Sequence, residues 1–249
     1  MDHKALSSTQ FFFATPPLLC PYLPDRVERR VVTELAGRQA GRLNERLSRA
    51  GFRRSHRIAY APACPGCAEC RATRIVADAF TLSRSQRRVW KHNADIIARE
   101  PPLAATEEQY GLFSAYLGSR HGNGDMASMD FLDYRSLVEE SPVDTVLVEF
   151  RDAGRRLVAG CLMDRLDDGL SAVYSFFDPA LRRRSLGIYM VLWLAEQAKS
   201  RGLPHVYLGF WIANCAKMSY KAAFRPLQVF TPQGWHLLPA PRKSDKYRK

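Results

Sequence analysis

Val31, Val32, Leu35, Leu43 and Leu47 recur at roughly helical spacing behind a Pro-rich opening that runs through Pro24. The pattern predicts a helix from Val27 to Ala50, stopped by Gly51. Short apolar stretches at 56–62 and 74–80 predict two strands, and Ser85 to Arg99 predicts a basic amphipathic helix halted by Pro101 and Pro102. Those prolines are the clearest candidate boundary, dividing residues 1–104 from residues 105–249. Beyond it, helices are expected at Glu107–Gly118 and Asp130–Glu140. Strands follow at 145–150, 156–166 and 170–178, separated by turn signals at Asp152–Arg155 and Asp167–Gly169. A helix from Ser185 to Arg201 takes Ser185 as its N-cap and ends at Gly202 and Pro204. A buried strand at 205–210, a short helix at 214–224 and a hairpin of 227–230 with 234–238 complete the chain, with a disordered basic tail.

This order makes an α+β protein. Its second half follows the sequence of elements expected of the acyl-CoA N-acyltransferase (GNAT)-like fold, in which a helix starts just past the end of a central strand. Members that bind CoA carry a glycine-rich turn there, whose amides hold pyrophosphate. Here the turn reads Arg183-Arg184-Ser185-Leu186-Gly187, with one glycine, which argues against a CoA-dependent N-acetyltransferase.

Charge narrows the partner. Lys and Arg number 37 against 25 Asp and Glu, a net charge of +12, which favours a polyanion through counterion release. The basic residues cluster at 53–57, 83–92, 182–184 and 241–249, as an extended partner requires. Arg182, Arg183 and Arg184 at a helix start suit the backbone of a single-stranded RNA end, or form a solvated basic turn. Lys217 and Lys221, four apart beside Asn214, share a helix face that either receives an acidic substrate or is merely solvated. No leader pattern and no run of about 18 apolar residues is present, so a cytoplasmic protein without a membrane span is expected. In that compartment thiols stay reduced, and Cys64, Cys67 and Cys70, spaced by two on a turn between strands, favour metal or redox chemistry.

Leu19-Cys20-Pro21-Tyr22-Leu23-Pro24, CPGCAECRATRI, SRSQRR, YSFFDP with RSLGIYMVLWLAEQA, and YLGFWIANCAKMSYKAAFRPLQ stand in one order. Together they resemble the bacterial aspartate/glutamate leucyltransferases, relatives of the eukaryotic arginyl-tRNA-protein transferases. The resemblance spans about residues 10–238, and its last motif is the most specific. It implies that the α-amine of a protein beginning with Asp or Glu attacks the ester of leucyl-tRNA, and that the product is marked for degradation by the N-end rule. An aminoacyl ester is already activated, so holding the reactants and steadying the oxyanion suffices without a nucleophile. Cys161 and Cys215 then read as buried apolar residues.

What the resemblance implies for sites is as follows. Asp178 is the candidate proton acceptor, or a plain turn residue, and Tyr174, Ser175 and Tyr207 are candidate hydrogen-bond donors. Lys217, Lys221 and Arg74 are candidates for the acceptor's carboxylate. Arg84, Arg87, Arg88, Arg183, Arg184 and Ser185 are candidates for tRNA. Phe176, Phe177, Trp211 and Ile212 line a leucine pocket or belong to the core. Cys20, Cys64, Cys67 and Cys70 provide four thiols for zinc or an iron-sulfur cluster, or stay as reduced thiols, and the chemistry requires no cofactor. The eukaryotic relatives space their cysteines differently, and Leu23 stands where a second cysteine would fall. Arginine as the donor, or an inactive tRNA-binding module, are the alternatives.

Overall fold

The computed structural model describes residues 9–120 and 128–240; the basic tail lies outside them. The first elements are β1 (Phe13–Ala14), β2 (Leu18–Leu19), β3 (Val27–Glu28), β4 (Arg30–Glu34), α1 (Ala40–Arg49), β5 (Arg53–Ser55), β6 (Ile58–Pro62) and β7 (Arg71–Val76). Then come α2 (Arg84–His92), β8 (Ile97–Arg99), α3 (Glu107–Arg120), α4 (Phe131–Glu139), β9 (Thr145–Arg151), β10 (Leu157–Leu166) and β11 (Gly169–Phe177). The chain closes with α5 (Leu186–Ser200), β12 (His205–Trp211), α6 (Ala216–Ser219), β13 (Leu227–Thr231) and β14 (Gly234–Leu237). The protein is α+β, and no helix among the described residues is long and apolar enough to cross a membrane.

Two expected helices are cut short. The stretch from Val27 begins as strands, because β-branched Val31, Val32 and Thr33 favour the pleated conformation and β4 pairs with both β1 and β6. Helix starts only at Ala40, beyond Gly37 with its positive φ of 70°. The helix expected over Ser85–Arg99 starts at Arg84, where Ser83 and Gln86 form a capping box, and ends at Asn93. Ile97–Arg99 turn back as β8 and cover the edge of β9.

Strands β14-β13-β7-β12-β11-β10-β9-β8 form one eight-stranded sheet, and β1-β4-β6-β5 form a smaller one. Pro101 and Pro102 connect β8 to α3, and β7 and β8 share the large sheet with strands from beyond them. Alternation along β10 assigns its faces. Ala159, Cys161 and Met163 join α5, through Leu186, Met190 and Leu194, on one side. Leu162 points to the other, where Phe113 of α3 and Tyr134 of α4 pack against Phe176. The small sheet shares that second face, since Tyr60 of β6 meets Phe210 of β12 with ring centroids 5.7 Å apart.

The small sheet is fixed by one buried ion pair. Arg54 of β5 is 3% exposed and Asp164 of β10 is 0% exposed. The guanidinium donates from Nε to Oδ2 at 2.6 Å and from Nη2 to Oδ1 at 2.7 Å. Thr145 Oγ1 donates to Oδ1 at 2.6 Å, and Arg54 Nη1 donates to the His56 carbonyl at 2.7 Å. Every desolvated group in this set has a partner, the condition under which a buried charge is tolerated.

Asp164→Leu alone leaves a buried guanidinium uncompensated and is expected to cost about 3 to 5 kcal/mol in urea unfolding. Adding Arg54→Met is expected to restore most of that loss. A single substitution costing under about 1 kcal/mol would contradict the assignment.

Candidate active site

Parallel strands β11 and β12 pair only through Gly169–Ser171 with His205–Tyr207. Beyond that register β11 continues to Phe177 and β12 to Trp211 unpaired with each other, so an opening forms between them. Arg53 lies in it. Nη2 donates to the Val173 carbonyl of β11 at 2.6 Å, and a Cβ added at Gly209 of β12 would come 2.8 Å from Nη1. Gly209 also has φ of 70°, so both its conformation and its lack of a side chain admit the guanidinium. Thr73 holds it there by donating to the Gly209 carbonyl at 2.9 Å.

Around Arg53 stand groups altered by burial. Tyr174 is buried at its hydroxyl, which has no hydrogen-bond partner among the described residues. Burial, then Tyr116, holds its phenol protonated well above the ordinary range. Lys221, 5% exposed, donates from Nζ to the Phe210 carbonyl at 2.5 Å. Burial first, then the charge of Arg53, brings its amine down to about 7. Tyr22 and Tyr220 also feel the Arg53 charge, while burial raises both.

The expectation that Lys217 and Lys221 share a face is overturned. α6 is a single turn, and Tyr220–Ala223 continue as 3₁₀ helix, where four residues no longer bring side chains into line. Lys217 is left exposed while Lys221 turns inward. Tyr207 and Arg74 do come together, in a separate cluster. Tyr207 donates to Asp168 at 2.8 Å, Arg74 donates to Tyr207 at 3.2 Å and to Gln228 at 2.7 Å, and its guanidinium lies 4.3 Å from the Trp235 ring. Asp168 stays ionised, near 2. Burial pushes it up, and His205 at 3.5 Å, the hydrogen bond from Tyr207 and the charge of Arg49 outweigh that.

Asp178 sits at the end of β11, where it accepts from Arg156 at 3.0 Å and from the Ala180 amide at 2.9 Å. Ser175 is half-buried on β11, opposite Cys161. Phe176 and Ile212 belong to the core, Phe177 lies under Arg120 and beside Tyr116, and Trp211 is half-buried. Cys161 and Cys215 are buried, and burial pushes the Cys161 thiol up to about 12, which leaves it inert.

Cys20, Cys64, Cys67 and Cys70 are half-buried free thiols. Cys20, Cys64 and Cys70 border a cavity of about 30 Å³ with Tyr22, Tyr60 and Phe210, room for a water or two. Burial, then the neighbouring thiols of Cys20, Cys64 and Cys67, pushes Cys70 up to about 12. Such a donor set suits a soft metal chemically, although no three His, Cys, Asp or Glu among the described residues stand at ligating positions.

On the opposite face α2 lies along α5, with the Trp90 and Tyr189 rings 5.5 Å apart. Arg84, Arg87 and Arg88 are exposed on α2, and Arg182 and Arg183 are exposed on a 3₁₀ turn before α5. Arg184 is occupied by Asp95 at 2.8 Å, and its carbonyl accepts from Asn93 at 2.9 Å. Ser185 occupies the N-cap position but with φ of 53°, and its side chain makes no capping bond.

Family models described as "Arginine-tRNA-protein transferase, N terminus" and "Arginine-tRNA-protein transferase, C terminus" match residues 19–88 and 108–231. A protein of Paramagnetospirillum magneticum named aspartate/glutamate leucyltransferase is 58% identical over 94% of this chain and 96% of its own. Proteins of the same name from Rhodospirillum rubrum and Granulibacter bethesdensis are 54% and 52% identical. They match over 94% and 95% of this chain and 96% and 89% of their own.

Lys221 has a testable consequence for stability. An unfolded lysine takes its proton below about 10.5, while the folded one waits until about 7. The unfolded state therefore binds more protons between those values, and this group makes stability rise with pH across that window. Lys221→Met is expected to be stabilised relative to the natural protein, most at pH 6 and progressively less toward pH 10, in urea unfolding. A pH-independent difference would contradict the buried, shifted amine.

Proposed function

The chain belongs to the arginine-tRNA-protein transferase family, and from that premise we propose that it transfers leucine from leucyl-tRNA to the α-amine of proteins beginning with Asp or Glu. Its 58% identity over 94% of its length with a protein named for that reaction carries the reading. The product would be marked for degradation by the N-end rule, in the cytoplasm.

The chemistry suits the opening between β11 and β12, which we read as the substrate cleft of a GNAT-like fold. The acceptor amine attacks the leucyl carbonyl, a C–N bond forms, and the ester C–O bond breaks to release the tRNA 3′ oxygen. The protonated Tyr174 hydroxyl, lacking another partner, steadies the oxyanion. The ammonium must lose a proton first. Lys221, with an amine that titrates near neutrality, accepts it and returns it to the leaving oxygen, directly or through water. Asp178 is the weaker candidate because Arg156 and the Ala180 amide already engage it. Tyr207 and Arg74 position the start of β12, while Ser175, which shares the α5 side with Cys161, and the exposed Lys217 take no part in the step.

The face formed by Arg84, Arg87, Arg88, Arg182 and Arg183 is the proposed seat of the tRNA, with Arg184 and Ser185 shaping its edge. Residues 1–104 supply that helix and the thiols, and residues 105–249 supply most of the cleft. Cys20, Cys64, Cys67 and Cys70 do not stand at ligating positions as they lie, but drawn together they would hold zinc or an iron-sulfur cluster, which would tie the N-terminal segment to the β6–β7 connection. No step of the transfer runs through it.

Purified protein supplied with labelled leucyl- and arginyl-tRNA is expected to move leucine, and not arginine, to peptides beginning with Asp or Glu and not Ala. Transfer of arginine would replace the donor, and transfer of neither would reject the reading.

A further inference from the structure

We infer that Arg53 reads the acidic side chain of the acceptor's first residue; the inference rests on the transferase reading above. A site that separates Asp and Glu from their neutral isosteres Asn and Gln needs a cation, because shape alone does not distinguish them. Four cationic residues are within consideration. Lys217 is exposed, where water screens it. Arg74 is spent on Tyr207, Gln228 and Trp235. Lys221 titrates near neutrality and is already bound to the Phe210 carbonyl, so it offers little permanent charge.

Arg53 differs from all three. It is half-buried in the cleft itself, with one nitrogen fixed to the Val173 carbonyl and Gly209 making room for the other side. The remaining donors have no acceptor and the guanidinium has no carboxylate partner among the described residues, whereas Arg30, Arg49, Arg54, Arg151, Arg165 and Arg184 all have one. A planar fork with free donors, desolvated between two strands, matches a carboxylate in both charge and shape. Its surroundings support the same ligand. Tyr22, Tyr174 and Tyr220 all feel its charge, and Glu28, the acidic group acting on Tyr22, is held by Arg30. The cleft thus holds a positive charge without a carboxylate partner, seated on the carbonyl of Val173, the residue next to Tyr174. That juxtaposition suits one residue whose side chain is bound while its α-amine reacts.

The test compares natural protein, Arg53→Met and Arg53→Lys at saturating leucyl-tRNA, with peptides that differ only in beginning with Asp or Asn. Arg53→Met is expected to lower kcat/KM for the Asp peptide about 100-fold, mainly through KM. Loss of the Arg53 charge also lets the Lys221 amine rise and slows transfer to both peptides alike, so the readout is the ratio of kcat/KM for the Asp and Asn peptides within one variant, which should collapse while binding of leucyl-tRNA stays near natural levels. Arg53→Lys keeps the charge without the fork and should show an intermediate preference. A ratio of Asp to Asn transfer unchanged in Arg53→Met, whatever the fall common to both peptides, would overturn the inference. If Arg53→Met does not fold, Arg53→Lys decides alone, since a preference kept at the natural level overturns it and a reduced one supports it. Natural protein that transfers leucine to neither peptide rejects the transferase reading itself and removes the ground of the inference.

Discussion

The buried pair of Arg54 and Asp164 is the constraint on which the rest of the arrangement depends. Each charge is tolerated in the interior only because the other, with Thr145 and the His56 carbonyl, satisfies it. The pair joins the edge strand of the small sheet to the middle of the large one, across 110 residues of chain. Successive side chains leave a strand in opposite directions, so fixing Arg54 also fixes where Arg53 points. One residue of β5 is an anchor and the one before it enters the cleft.

Desolvation acts in two senses within that cleft. It drives the phenol of Tyr174 upward, so that the hydroxyl remains a donor, and the amine of Lys221 downward, so that it can accept a proton near neutrality. Arg53 assists the second and opposes the first, since its charge disfavours a second cation at Lys221, pulls on the Tyr174 phenol against burial, and makes the pocket receptive to an anion. An activated ester needs little more than this, because the barrier is lowered by holding amine and carbonyl together with a donor placed for the oxyanion.

Strands β9 to β12 were legible because alternation and turn residues agreed, and α4 because Asp130 opens it with a capping box. The region before β5 was not, since Val31 and Val32 fit a helical spacing as well as a strand, and only pairing with β1 and β6 chose between them. Of the site, Tyr174 is a candidate hydrogen-bond donor and Lys221 is singled out by its spacing from Lys217 as a receiver of a carboxylate, but the inward turn of Lys221 depends on a 3₁₀ segment that spacing does not reveal. Arg53 was hidden in a basic run that reads as surface charge. A signal did exist. Asp164 interrupts the apolar stretch of β10, and a carboxylate in such a setting demands a buried cation, which points back to the arginines of the first half.

The proposed mechanism has acceptor and donor meet between β11 and β12, on the face that the small sheet covers. A crystal structure of the protein with a peptide beginning with Asp and a non-hydrolysable leucyl-adenosine analogue tests it most directly. The Asp carboxylate is expected on the Arg53 guanidinium and the leucyl carbonyl within hydrogen-bond reach of Tyr174. A peptide carboxylate on Lys217, or an analogue seated beside Asp178 and away from Tyr174, would contradict it.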